Sequence, residues 1–226
     1  MAKEFKISAN ELSEYISTYY PNIKIQGKAS FNETIFDSID TEEKAYWLGF
    51  LFADGTISSS PLRDDAKTQY QIELSLSSKD LFHLEKFAKF IGYTQPLYCD
   101  KTRCRISIYS KHMWQILNAN GCTPQKSLTL KFPKIELFKN AQLVFHFIRG
   151  YWDGDGCLSY SNKEHTRAEI SVIGTDEILN PIITLICPDI KPTLHILHPE
   201  SQSITKYFNI SGVNAYNTIS KLYKNS

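Results

Sequence analysis

The chain carries one sequence pattern twice. The first copy reads AYWLGFLFADGTISSS and the second reads FIRGYWDGDGCLSYS, which places Asp54 and Asp155 101 residues apart. Each copy combines an apolar stretch, a glycine, a second small residue four positions later, an Asp-Gly pair and a polar run. A repeat of this length predicts two copies of one folding unit within a single chain.

The similarity continues downstream in the same order. YQIELSLSSKDLFHLEKF matches RAEISVIGTDEILNPI, which aligns Glu73 with Glu169, and RCRISIYSKHMWQIL matches TKYFNISGVNAYNTI, which aligns Arg103 with Thr205. Three matches at offsets of 96 to 102 residues indicate a duplication. The duplication predicts a first unit at 41–121, a linker at 122–140, a second unit at 141–226, and an N-terminal extension at 1–40 of unknown role.

Hydrophobic periodicity predicts the structure of each unit. Asp40 and Glu43 resemble a capping box for a helix that runs to about Ala53 and is ended by Gly55. Apolar and polar residues alternate at 70–78, 103–110, 167–173 and 204–211, and helical spacing covers 79–91, 111–118, 176–186 and 213–223. We predict an α+β fold of two pseudo-symmetric αββαββα-type units with antiparallel sheets, packed through two central motif helices.

Composition excludes several classes of protein. The 226 residues are 42% hydrophobic and 22% charged, which fits a globular protein, and the longest apolar run, 45–53, is too short for a membrane span. No apolar stretch follows the lysines of the amino terminus, so we expect no signal peptide.

Five scattered cysteines without zinc-ligand spacing predict reduced core thiols in an intracellular protein, in a bacterial or phage-host cytoplasm or an organelle. The net charge of +1 gives no general sign of nucleic-acid binding, so a basic surface would have to be local.

Small residues predict how the two motif helices meet. Gly49 and Ala53 share one helix face, as do Gly150 and Gly154, and such faces allow close helix approach. Packing on these faces would bring the carboxyl ends of the helices, with their aspartates, together. Two carboxylates there oppose the helix dipoles and repel each other, and a hard divalent cation relieves both effects. The pattern therefore predicts Mg²⁺ (or Mn²⁺) and metal-dependent phosphodiester hydrolysis.

Residues 41–226 resemble the LAGLIDADG homing endonucleases in their single-chain, two-motif form. The resemblance implies a monomer that breaks both strands of double-stranded DNA at one long site, in the service of intron or intein mobility. It implies that Asp54 and Asp155 are catalytic and bind metal with help from the backbone carbonyls of Ala53 and Gly154. Lys126, in CTPQKS, matches the family's basic residue, and each sheet would form half of a saddle over the major groove.

The match to the family has gaps. The motif's earlier acidic position is Asp153 in the second copy but Phe52 in the first, so we do not count it as catalytic. The family's second basic residue has only Lys224 as a candidate. A glutamine common in the family is replaced at Ser78 and Gly174.

Strand alternation predicts a DNA-reading face. The residue types on the polar faces of the strands suit base edges, and three lysines near the sheet edges, Lys101, Lys111 and Lys163, suit phosphates. The predicted DNA-binding residues are Ser58, Gln71, Glu73, Ser75, Arg103, Arg105, Ser107, Tyr109, Ser159, Arg167, Glu169, Ser171, His195, Tyr207 and Asn209.

Three other interpretations stay open on the sequence alone. The same fold could serve as an RNA maturase or as a DNA-binding regulator without cleavage. A small-molecule phosphohydrolase would need a compact pocket in place of two open sheets. A calcium loop is not among them: it needs further acidic ligands at fixed spacing, and LFADGT has only one acidic residue, so that interpretation fails for the first copy.

Overall fold

The computed structural model describes residues 14–15, 18–19, 29–62, 67–197 and 205–224. Ser8 and Glu11, whose spacing suits the cap of a short helix, lie outside this part of the chain, as does His198, one of the six histidines. The described helices include none that is both long and apolar enough to cross a membrane.

The first unit is built around a four-stranded antiparallel sheet. Its elements are α1 (Glu42–Asp54), β1 (Gly55–Pro61), β2 (Thr68–Ser77), α2 (Leu81–Ile91), β3 (Tyr98–Cys99), β4 (Arg103–Tyr109) and α3 (Lys111–Ala119). The strand order is β1-β2-β4-β3.

The second unit repeats this arrangement after a structured connection that contains α4 (Lys126–Thr129). Its elements are α5 (Gln142–Asp155), β5 (Gly156–Tyr160), β6 (Ala168–Gly174), α6 (Asp176–Ile186), β7 (His195–Ile196), β8 (Lys206–Ser211) and α7 (Val213–Tyr223). The strand order β5-β6-β8-β7 matches that of the first sheet. The predicted α+β fold of two similar units is confirmed.

The registers of the two sheets show which strand residues correspond. Leu74 and Val172 lie opposite the glycines that begin β1 and β5. Glu73 therefore corresponds to Ser171, and its predicted correspondence with Glu169 is wrong by two residues.

The error comes from the length of one connection. Three residues (Ser78–Asp80, a 3₁₀ turn) join β2 to α2, whereas Thr175 alone joins β6 to α6. The strands therefore correspond at an offset of 98 residues, whereas the starts of α2 and α6 correspond at an offset of 95. The alignment of Glu73 with Glu169 uses an offset of 96, which displaces the strands by two residues. Because side chains alternate with a period of two, this shift keeps every residue on its predicted face.

The start of the first motif helix also differs from its prediction. Thr41 is the N-cap, and its hydroxyl accepts a hydrogen bond from the Lys44 amide at 3.2 Å. Asp40 instead pairs with the Lys44 ammonium at 2.9 Å. The predicted capping box is wrong by one residue, because both Asp40 and Thr41 are good caps and the sequence does not distinguish them.

The residues before α1 brace the first unit. Phe36 and Ile39 are buried in the core, and Ile39 forms a parallel bridge with Phe138 of the connection. The Asn32 amide donates to the Ile91 carbonyl at the end of α2 at 2.8 Å. Residues 29–40 thus pack as part of the first unit.

Three of the five cysteines depart from the prediction of reduced core thiols, and two conform to it. Cys99 and Cys104, on the neighbouring strands β3 and β4, form a disulfide. Cys157 is free but exposed, and Cys122 and Cys187 are free and buried. The sequence conceals the Cys99–Cys104 pair because the strand pairing, and not a spacing rule, brings the two side chains together.

The two motif helices pack backbone to backbone. A Cβ added to Gly49 would lie 2.0 Å from the Phe147 carbonyl oxygen, and one added to Gly150 would lie 1.9 Å from the Tyr46 carbonyl oxygen. Each glycine thus faces the main chain of the opposite helix. Bulkier residues at these positions would force the helices apart.

We expect Gly150→Ala to destabilise the protein by about 3 kcal/mol, because the added methyl group overlaps main-chain atoms that cannot rotate away. Gly92→Ala is the control, since its Cβ would meet no atom within 4 Å and only its positive φ of 68° is unfavourable. That control should cost about 1 kcal/mol. Urea unfolding measures both values, and a smaller loss for Gly150→Ala than for Gly92→Ala would contradict the packing argument.

Candidate active site at the paired helix ends

Each motif helix ends on its aspartate and passes directly into a strand. Gly55 and Gly156 follow the aspartates in extended conformation, and their amides donate to the carbonyls of Leu51 and Trp152. A Cβ on Gly55 would lie 2.5 Å from the Leu51 oxygen, so a glycine is needed for this abrupt change of direction.

The two helix ends meet closely enough for their carboxylates to interact. A Cβ on Gly154 would lie 2.4 Å from the Ala53 Cβ and 3.1 Å from Asp54 Oδ2. Burial raises the pKa of Asp155 to about 6, with Asp54 adding to the rise and Lys126 opposing it. Burial also raises the pKa of Asp54, again against the effect of Lys126. The site therefore resists holding two negative charges unless a cation is added.

Asp155 lines a small cavity of about 110 Å³. One wall comes from the opposite helix, through Phe52 and Ala53. Tyr151 lies one turn before Asp155, and its hydroxyl donates to the Ile173 carbonyl at 2.9 Å. The other lining residues come from the connection, from the end of β6 and the residue after it, and from the residue before β8: Lys126, Ser127, Leu130, Ile173, Gly174, Thr175 and Thr205.

Lys126 is the cation of this cavity. Its ammonium donates to the Phe52 carbonyl at 2.8 Å, so it reaches from the connection to the end of α1. Burial lowers the pKa of Lys126, with Cys122, Asp155 and Asp54 opposing the change. Gln125, just before it, has a left-handed backbone with φ of 57°. A non-glycine residue in that conformation indicates local strain that the surrounding packing must hold.

The connection is anchored to the second unit on both sides of Lys126. The Thr175 hydroxyl donates to the Leu130 carbonyl at 2.5 Å, and the Thr205 hydroxyl donates to the Ser127 carbonyl at 3.4 Å. These contacts fix the turn of helix that carries the lysine.

Asp54 lines a second and larger cavity, of about 480 Å³. Asp153 and Gly154 of the opposite helix form one wall, so each motif supplies the aspartate of one cavity and part of the wall of the other. The remaining lining residues are Tyr46, Phe50, Leu76, Asp80 and His83.

Asp153 belongs to a hydrogen-bonded group in this second cavity. The Tyr46 hydroxyl donates to Asp153 Oδ2 at 2.8 Å, and the Tyr223 hydroxyl donates to Asp153 Oδ1. The Tyr46 oxygen also lies 3.3 Å from His83 Nε2. Lys224 follows Tyr223 on the protein surface and is exposed.

The predicted DNA-binding residues lie mainly on the polar faces of the two sheets. In β2 the half-buried Gln71, Glu73 and Ser75 alternate with fully buried aliphatic residues. The remaining predicted residues lie as follows: Ser58 in β1, Arg103, Arg105, Ser107 and Tyr109 in β4, Ser159 in β5, Glu169 and Ser171 in β6, His195 in β7, and Tyr207 and Asn209 in β8. Arg167 lies just before β6, because that strand begins one residue later than predicted.

Several of these polar side chains are held by their neighbours. Glu73 accepts hydrogen bonds from Ser107 at 3.0 Å and from Gln71 at 3.2 Å. Glu169 accepts from Asn209 at 3.1 Å. Such hydrogen bonds restrict the rotamers of the side chains on these polar faces before any ligand binds.

The lysines predicted to contact phosphate lie outside the strands. Lys101 and Lys163 are exposed in the loops before β4 and β6. Lys111 begins α3, with its ammonium 5.9 Å from the centre of the Tyr70 ring.

Solved structures share this architecture. The chain resembles LAGLIDADG homing endonuclease I-GzeII in complex with its DNA target, with a TM-score of 0.56, 11% identity, and coverage of 83% of this chain and 84% of that one. Meganuclease I-SmaMI bound to uncleavable DNA gives a TM-score of 0.55, 11% identity and coverage of 79% and 82%. Mesophilic variants of homing endonuclease I-DmoI give 0.53, 17% and coverage of 79% and 93%.

The chain has the LAGLIDADG fold. No protein-family model and no curated protein matches it in sequence, so the three-dimensional arrangement carries the likeness. In that fold the two motif helices are α1 and α5, as the sequence motifs predict.

The joined ends of α1 and α5 place two carboxylates together but supply few further ligands. Among the described residues no group of three His, Cys, Asp or Glu side chains is arranged to hold a metal ion. Two carboxylates nevertheless fit Mg²⁺, which retains several waters and is commonly held in proteins by one or two carboxylates together with phosphate oxygens. The raised pKa values of both aspartates are what a site that needs a cation would show.

One part of the site has no signal in the sequence. His83, Tyr46 and Asp153 form a hydrogen-bonded chain beside Asp54, although the histidines show no ligand spacing and Asp153 was not counted as functional. The three residues come from α2, α1 and α5, so no spacing in the sequence predicts their contact.

Without metal, we expect the protein to lose stability as pH rises from about 4 to about 6, by at most about 3 kcal/mol. The pKa of Asp155 rises from 3.8 to about 6 on folding, so in this window the folded state holds a proton that the unfolded state has released. Asp155→Asn should remove most of this slope, which urea unfolding in chelator at several pH values measures.

The control for this measurement is Glu177→Gln, an exposed carboxylate at the start of α6. It should keep the wild-type slope. An unchanged slope in Asp155→Asn would show that Asp155 is not the source of the pH dependence.

Proposed function

We propose that the protein is a site-specific, metal-dependent endonuclease of double-stranded DNA. The observation that carries this proposal is the meeting of Asp54 and Asp155, two carboxylates with raised pKa values, at the joined ends of α1 and α5. Lys126 lies beside them. The likeness to solved homing endonucleases with bound DNA supports the same substrate.

The two sheets supply a surface suited to a duplex. Each has one face buried in the core and one face of polar side chains, and the strand order is the same in both. Arginine, glutamine, asparagine and glutamate side chains match the donors and acceptors that bases expose in the major groove. Two such faces related by a pseudo-twofold axis suit two successive half-sites. One chain provides both, so we propose that it acts as a monomer.

The aspartates would hold the divalent metal, with the carbonyls of Ala53 and Gly154 as further oxygen ligands. A divalent metal bound there would supply a nucleophilic water and neutralise charge on the scissile phosphate. Lys126 sits in a largely buried site, where its positive charge acts on a phosphate more strongly than it would in water. Its hydrogen bond to the Phe52 carbonyl holds the ammonium in place before substrate arrives.

Cleavage of a randomised duplex library tests the proposal. In Mg²⁺ we expect double-strand breaks at one family of related sites, and no breaks in chelator. Asp54→Asn and Asp155→Asn should each reduce cleavage about a thousandfold or more, because each removes a charge that balances the metal. Sequencing of the cut ends would also give the recognition site.

Asp189→Asn is the matched control, because Asp189 is exposed in the turn after α6. It should cut at the wild-type rate. Specific binding without cutting would replace the proposal with a DNA-binding regulator. Binding to structured RNA without any binding to duplex DNA would replace it with an RNA maturase.

The polar face of the first sheet can be tested at Arg105. Its guanidinium lies over the Tyr98 ring at 4.5 Å, so it is held on the exposed face of β4. Arg105→Ala should weaken binding by about 1–3 kcal/mol and relax the preference at one or two adjacent base pairs, as measured by competition with variant sites. Lys134→Ala, an exposed residue of the connection, should leave base preference unchanged. If Arg105→Ala weakened binding equally for all the variant sites, Arg105 would contact a phosphate and not a base.

A further inference from the structure

The cavities of Asp54 and Asp155 are pseudo-symmetric counterparts. Asp153 and Phe52 correspond in the two motifs, and each lines the cavity of the opposite aspartate. By the sheet registers Leu76 corresponds to Gly174, and these two residues also line the two cavities. The two cavities are therefore the same place in the two units.

Their basic side chains are not counterparts. Lys126 of the connection lines the Asp155 cavity. In the part of the chain that the structure describes, no lysine or arginine lines the Asp54 cavity, and the basic side chain there is His83. By the starts of α2 and α6, His83 corresponds to Ile178, which is fully buried and has no polar group. The histidine is thus particular to the first unit.

Aromatic rings hold His83 in one orientation. Its ring centre lies 4.6 Å from that of Phe50 and 4.8 Å from that of Trp47. The Tyr46 ring meets it edge to face at 6.0 Å. An imidazole enclosed in this way needs no reordering when a ligand arrives.

The hydrogen-bond chain determines which ring nitrogen carries the proton. The single proton of the Tyr46 hydroxyl goes to Asp153 at 2.8 Å. The Tyr46 oxygen can then only accept from His83, so Nε2 is protonated and Nδ1 has a lone pair. Burial lowers the pKa of His83 against the opposing charge of Asp153, which favours the neutral ring. The carboxylate, hydroxyl and imidazole thus form a chain that ends in a base.

We propose that His83 is the catalytic base of the Asp54 half-site, oriented by Tyr46 and Asp153, and that the two DNA strands are cut with different side-chain requirements. The proposal rests on the endonuclease function above. A water oxygen forms a bond to phosphorus, the bond from phosphorus to the leaving ester oxygen breaks, and the water proton passes to His83 Nδ1. The leaving oxygen takes a proton from solvent, giving one phosphate monoester and one hydroxyl.

The tautomer of His83 tests the first part of the proposal without any substrate or metal. Nitrogen-detected NMR of the imidazoles should show Nε2 protonated and Nδ1 unprotonated at His83 near pH 7. Tyr46→Phe removes the acceptor and should shift the ring toward a mixture of tautomers. A wild-type ring protonated at Nδ1 would overturn the proposal, whether or not the protein cuts DNA.

Single-turnover cleavage of a duplex with differently labelled strands tests the second part, on the site recovered from the library. His83→Gln should slow the cutting of one strand by about a hundredfold or more and leave the other close to wild type. Lys126→Gln should slow the opposite strand more. Imidazole added to the buffer should partly restore the affected strand in His83→Gly, which loss of structure alone would not allow.

His146→Gln is the matched control, because His146 is another partly buried histidine but lies near the start of α5, at the opposite end of that helix from Asp155. It should alter neither strand. Equal slowing of both strands by His83→Gln, or no slowing, would overturn the assignment of His83 while the endonuclease function stands. If the wild-type protein did not cut DNA at all, the endonuclease function itself would be rejected.

Discussion

The close main-chain approach of α1 and α5 is the contact on which the rest of the structure depends. Gly49 and Gly150 each face a carbonyl oxygen of the opposite helix at a distance that leaves no room for a side chain. Because the contact is reciprocal, it relates the two units by a pseudo-twofold axis. The same contact brings both helix ends together, and since each helix passes directly into the first strand of its sheet, it also fixes where both polar faces lie.

That geometry is unfavourable for the residues that occupy it. Burial raises the pKa of both Asp54 and Asp155, and the charge of Asp54 raises that of Asp155 further. Both carboxylates also lie at the negative ends of helix dipoles, where a negative charge is unfavourable. Lys126 offsets only part of this, because its own burial lowers its pKa. A fold that keeps such groups together without a full set of countercharges stores free energy that a bound cation and phosphate can release. The unfavourable placement of these charged groups and the proposed activity therefore have one origin.

Local sequence patterns predicted most of the fold. The features that they did not predict depend on tertiary contacts. The motif glycines, the strand alternation and the helical spacing each report on a few neighbouring residues, and the element order they predict is observed. The correspondence of Glu73 with Glu169 was wrong because a shorter connection shifts register without changing the pattern of faces. The His83 group and the Cys99–Cys104 disulfide depend on which elements pack together, and no spacing within the sequence encodes that.

The duplicated units have kept their backbone and changed their cavities. Main-chain contacts at the paired glycines allow no substitution, so both copies retain them. The cavity walls are less constrained: Phe52 corresponds to Asp153, and Tyr46 corresponds to Phe147, which lacks the hydroxyl. A homodimer would have to use one side chain at both positions, whereas a duplicated chain can alter each independently. Two cavities in corresponding positions can therefore carry a lysine on one side and a histidine on the other, so that one backbone supports two different local chemistries.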